Sequence, residues 1–106
     1  MKIVVQGKDM NITAGIRHFV EDKVKTKLVK IGDRVVGVRV YLENITRKKN
    51  DPHAAKATVE VEIPGDNIVV KEDAHDPYLA ISEAIKAAQR RLRKIKDKKR
   101  TKNRES

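Results

Sequence analysis

Three features of this sequence predict an α+β domain of element order β-α-β-β-β-α, with a four-stranded sheet and two helices packed side by side on one of its faces. The chain has 106 residues, enough for one domain with one core. Apolar residues recur at helical spacing in two segments, 16–31 and 78–95. Between these segments the period changes to two, over residues 36–42 and again over 55–63.

The elements follow in order. Residues 2–6 are a short apolar run ending at Gly7, which reads as a first strand. Thr13 is placed to cap a helix starting at Ala14, and Ile16, Val20, Val24, Leu28 and Ile31 line its inner face until Gly32, a suitable stop. Gly15 is a poor helix former in the first turn. Val36, Val38, Val40 and Leu42 then point one way and Val35, Arg39, Tyr41 and Glu43 the other, a half-buried strand. Residues 44–53, with Arg47-Lys48-Lys49 and Asp51-Pro52, read as an exposed loop. In the next strand Ala55, Ala57, Val59, Val61 and Ile63 face the core. Pro64-Gly65-Asp66 turns the chain into a last strand over 68–73.

The second helix has the clearest start: Asp76 caps it, and Pro77 occupies the first helical position, where its missing N–H is not needed. Tyr78, Ile81, Ile85, Ala88, Leu92 and Ile95 form its apolar stripe. From Lys98 onward there is no apolar residue, so residues 1–97 are read as the domain and 98–106 as a basic, disordered tail.

Charge is the strongest functional signal. The formal net charge is +10, from 25 Lys and Arg against 15 Asp and Glu. Residues 1–78 hold 14 basic and 12 acidic groups, while residues 79–106 hold 11 basic and 3 acidic, so the last quarter carries +8. At 100° per residue Lys86, Arg90, Arg93 and Lys94 fall opposite the apolar stripe, with Arg91 and Lys96 on its flanks. No acid occurs between Ile85 and Lys96, whereas a face built for solubility would mix signs. Lys23, Lys27 and Lys30 form a second row on the first helix, and the two rows border one groove if the helices lie side by side. A phosphate polymer is the partner such surfaces fit.

Other chemistries lack their residues. The chain has no Cys, which excludes a disulfide framework, a Cys-based metal site and a thiol nucleophile. His18, His53 and His75 fall in separate elements without metal-ligand spacing, and Ser82 lacks a nucleophile-elbow context. No enzyme, cofactor, metal or small-molecule substrate is therefore expected. No apolar run is long enough for a signal peptide or membrane span, which predicts a cytoplasmic protein without membrane contact. Phe19, Tyr41 and Tyr78 are the only aromatics, and packing claims some of them, so recognition of backbone shape and phosphates in structured RNA is expected over base stacking.

The strand from Ile3 to Gly7, Asn11-Ile12-Thr13, Ile16-Arg17, Phe19-Val20, Lys23, Asp33-Arg34 and Asp76-Pro77-Tyr78-Leu79-Ala80-Ile81, continued by Arg90, Leu92, Lys94 and Lys96, resemble the ribosome hibernation factors. That family includes hibernation promoting factor and ribosome-associated inhibitor A, also called sigma-54 modulation proteins. The resemblance covers about residues 1–97 and implies a fold like that of double-stranded-RNA-binding domains. It further implies binding to the small ribosomal subunit and 70S ribosome across the mRNA channel and tRNA sites of the decoding region, inhibiting translation and preserving idle ribosomes in stationary phase or stress. Family positions carry over to Lys23, Arg90, Lys94 and Lys96, and to Lys27 if one extra residue is allowed in the first helix. The chain departs at Lys86-Ala87-Ala88, where the family's Lys is displaced, at Pro77, and in a longer, more basic loop over 47–53. It holds no counterpart of the long factors' C-terminal dimerisation domain, so a short form, monomeric off the ribosome and unable to pair ribosomes by itself, is expected. The candidate ribosomal-RNA-binding residues are Lys23, Lys27, Lys30, Lys86, Arg90, Arg91, Arg93, Lys94 and Lys96. The competing reading is a general structured-RNA-binding module or RNA chaperone.

Overall fold

The structure, a computed structural model, describes residues 2–28, 35–45 and 51–105, with the backbone alone from 96 onward. The Gly32 stop, Ile31, Lys30, Asp33-Arg34, the Arg47-Lys48-Lys49 tip and the Lys96 side chain lie outside the described residues.

The expected order is observed: β1 (Lys2–Lys8), α1 (Ala14–Lys23) continued by a wide π-helical turn (Val24–Leu28), β2 (Gly37–Asn44), β3 (Ala55–Ile63), β4 (Asp66–Ala74) and α2 (Pro77–Glu105). The strands lie in the order β1-β2-β3-β4. β1 and β2 are parallel, joined by the α1 crossover, and the β2-β3 and β3-β4 pairs are antiparallel. Ile63 pairs with Asp66 across Pro64-Gly65, where Gly65 takes φ +85°, the positive angle a Pro-Gly type II turn needs at its third residue.

The inner face of the sheet is Val38, Val40, Leu42, Ala55, Ala57, Val59, Val61, Ile68 and Val70, all buried under Ile16, Val20, Val24 and Leu28 of the first helix and Ile81, Ile85, Ala88 and Leu92 of α2. Alternation in β3 is as read from the sequence. β2 is not, since Val36 is 56% exposed. The regular strand starts one residue later, and Val35 and Val38, three apart, both face the core, so the parity slips at its entrance. Val36 still donates its N–H to the Glu62 carbonyl at 2.9 Å, but its side chain lies outside the layer the helices cover.

Both helix starts are capped as expected. Thr13 Oγ1 accepts from Ile16 N at 3.1 Å, and Asp76 Oδ1 from Leu79 N at 2.9 Å. The end of α1 differs from a plain helix. Ile16, Val20, Val24 and Leu28 are spaced by four each, a row that drifts about 40° per step around an α-helix and would carry Leu28 off the core. The π-helical turn over Val24–Leu28 accommodates more residues per turn, removes that drift and leaves Leu28 fully buried. Within this turn Thr26 Oγ1 donates to the Asp22 carbonyl at 2.8 Å. Thr26→Val keeps the branched shape and removes that bond. Thermal denaturation is expected to show a loss of about 1 kcal/mol.

α2 continues as helix to Glu105, past the Asp97/Lys98 boundary where the tail was expected to leave it. No Gly or Pro follows Pro77, and Lys, Arg and Glu are good helix formers, so the sequence contains no stop.

Candidate nucleic-acid interface

The two helices meet along a seam fixed by two contacts. At one end Phe19 and Tyr78 pack edge-to-face, with ring centroids 5.1 Å apart. Further along, Gln89 Nε2 donates to the Lys27 carbonyl at 3.4 Å. The earlier residue of α1 meets the earlier residue of α2, so the helices run parallel. On α2, Lys86 and Arg93 lie one turn to either side of Gln89 on the same face. Lys86 and Arg93 therefore lie on the side of α2 where Gln89 meets the Lys27 turn.

Lys23 is half-buried, with its ammonium 5.6 Å above the Phe19 ring. Lys27 is exposed on the wide turn. Lys86, Arg90, Arg93 and Lys94 are exposed on the outer side of α2. Lys86 lies 3.9 Å from Glu83, an exposed pair that holds it only weakly. Among the described residues Arg90, Arg93 and Lys94 form no ion pair. Arg91, on the far flank of α2, is turned away from the seam: its Nη1 donates to the Val69 carbonyl of the edge strand β4 at 2.8 Å. Its first role is to cover that edge.

The opposite face of the molecule is built differently. Across the open side of the sheet the register aligns Lys8, Glu43, Lys56 and Asp73 in one row of alternating sign. Lys8 and Glu43 are 3.7 Å apart, as are Arg39 and Glu62. The sheet face neutralises itself, whereas the helix face leaves its cations to a partner. Two residues of the seam escaped the sequence reading. Tyr78, assigned to the core stripe, is 44% exposed, and Gln89, a polar residue on the rim between the stripe and the cations, is not singled out by spacing.

The described residues hold no group of three or more His, Cys, Asp or Glu placed to bind a metal ion. None of the described helices is long and apolar enough to cross a membrane.

The sequence profile of the family described as "Sigma 54 modulation protein / S30EA ribosomal protein" matches residues 3–100. The chain belongs to that family. Among S30EA relatives, the ribosome hibernation promoting factor of Escherichia coli is 34% identical over 100 residues, covering 92% of this chain and 96% of that one. The ribosome hibernation promotion factor of Deinococcus radiodurans is 29% identical over 92 residues, covering 87% of this chain but 47% of that protein, so the chain spans about half of its length. The crystal structure of the N-terminal domain of Thermus thermophilus Protein Y superposes with a TM-score of 0.76 at 28% identity, covering 90% of this chain and 99% of that one. The α+β arrangement thus matches the fold of an S30EA relative over nine-tenths of the chain.

Proposed function

We propose that this S30EA-family protein binds the small ribosomal subunit across the mRNA channel and the tRNA sites of the decoding region, and thereby inhibits translation and preserves idle ribosomes in stationary phase or stress. The observation that carries the reading is the cationic face of α2, without an acid from Ile85 to Lys96, joined to the Lys23 and Lys27 row through the contact between Gln89 and Lys27. Ribosomal RNA is the polyanion this surface meets, with Lys23, Lys27, Lys86, Arg90, Arg93 and Lys94 neutralising phosphates; Lys30 and Lys96 are candidates by sequence spacing alone. Arg91 contributes with the donors that Val69 leaves unused. The protein acts by occlusion in the cytoplasm, without catalysis and as a monomer off the ribosome: its volume excludes mRNA and tRNA. Membership of a family whose relatives are named for ribosome hibernation supports this choice over general RNA binding.

Added to a cell-free translation reaction, the protein is expected to inhibit initiation in proportion to its occupancy of vacant ribosomes, and ribosomes already filled with mRNA and tRNA are expected to resist. The six cations assigned to phosphates predict a slope of roughly −5 for log affinity against log salt. Equal inhibition of filled and vacant ribosomes would contradict occlusion.

A further inference from the structure

The one half-exposed aromatic on the helix face has no role in the phosphate reading. Tyr78 starts α2 at the end of the seam, where spacing predicted burial, and yet 44% of it faces solvent. Its position is nevertheless fixed. Phe19 meets it edge-to-face, and its hydroxyl lies 3.3 Å from where a Cβ on residue 15 would stand, so Gly15 leaves the space that the phenol occupies. The hydroxyl makes no hydrogen bond among the described residues, so hydrogen bonding there does not explain the tyrosine. The ammonium of Lys23 lies over Phe19, the ring against which Tyr78 packs. A large ring that is oriented by its neighbours and exposed, with a cation over the ring behind it, matches a base-stacking contact beside a phosphate-binding row. Because Phe19 already restricts the rotamer, stacking costs little further side-chain freedom.

We propose that Tyr78, backed by Phe19, stacks on one unpaired RNA base at the end of the cationic seam. The inference rests on the RNA-binding reading and deepens it: the seam takes a nucleotide outside a duplex, and recognition is not confined to phosphates. The chain offers a direct probe, since it has no Trp and Tyr41 is its only other Tyr, on the opposite face of the sheet. In a Tyr41→Phe background all tyrosine emission comes from Tyr78. Titration with a ten-nucleotide single-stranded RNA at about 50 mM salt, where phosphate contacts are strong, is expected to quench that emission, and an abasic strand of the same length is expected to bind without quenching. Tyr78→Leu keeps an apolar side chain against Phe19 and removes the ring. It is expected to bind the base-bearing strand about 10-fold more weakly, to bind the abasic strand like the parent, and to leave the salt slope unchanged, while Tyr78→Phe binds like the parent. Failure of the single strand to bind, unchanged emission at saturation, or equal affinity of Tyr78→Leu for the base-bearing strand would overturn the proposal. If charge reversal on α2 abolishes binding while Tyr78→Leu changes nothing, stacking alone is wrong. If charge reversal also changes nothing, the RNA-binding reading itself falls.

Discussion

A chain carrying Lys86→Glu, Arg90→Glu and Lys94→Glu is expected to lose at least about 100-fold in affinity for small ribosomal subunits near physiological salt, while melting at nearly the parent temperature. All three side chains are exposed on the outer side of α2 and none contributes to the core. On the proposed reading each reversal removes a phosphate contact and adds a repulsive charge, so the effect exceeds that of three alanines. The salt slope should also shrink by about two to three, because fewer counterions are released on binding. The folded state loses only the exposed contact between Lys86 and Glu83, which is worth a few tenths of a kcal/mol. Filter binding over a salt series, with a thermal melt of the same sample, checks both halves.

The converse is expected at Ile81→Ala. Ile81 is fully buried in the layer between α2 and the sheet. Removing its outer carbons loses their burial and leaves a cavity that the surrounding helices and strands fill only in part, a cost of about 2–5 kcal/mol. For a domain of this size that is a large share of the total stability and lowers the melting temperature by roughly 10–20 °C. Below its transition the variant keeps the cationic seam, so its affinity for ribosomal subunits should stay within about twofold of the parent. Calorimetry and binding at a low temperature separate the two effects. Together the variants dissociate the surface that binds from the core that folds.

The parts of the fold legible in the sequence were those set by local chemistry. Alternation placed Val59 and Val61 inward because a strand fixes side-chain direction residue by residue. Asp76 and Pro77 marked the start of α2 because capping needs only the first turn. The cationic side of α2 was legible for the same reason: helical geometry alone puts Arg90 and Lys94 opposite Ile81 and Ile85. What escaped depends on neighbours distant in sequence. Tyr78 sits at the rim of its stripe, and whether a rim residue is covered depends on where the adjoining helix begins. Arg91 was read with the other cations, and only the placement of β4 beside α2 shows that it spans to Val69. The wide turn after Lys23 leaves a mark in the sequence, the spacing of four from Ile16 to Leu28, but the same spacing also fits a regular helix that drifts. Val36 was misplaced because alternation gives no warning of where pairing starts.

The central claim is that the helix face recognises the small ribosomal subunit, and not RNA phosphates in general. Sucrose-gradient sedimentation at physiological salt tests it most directly, with the protein offered vacant small subunits together with an excess of unrelated structured RNA. The account predicts that the protein travels with the subunit peak, and that the Lys86→Glu, Arg90→Glu, Lys94→Glu chain stays at the top of the gradient. Migration with the free RNA alone, and never with small subunits or whole ribosomes, would contradict it.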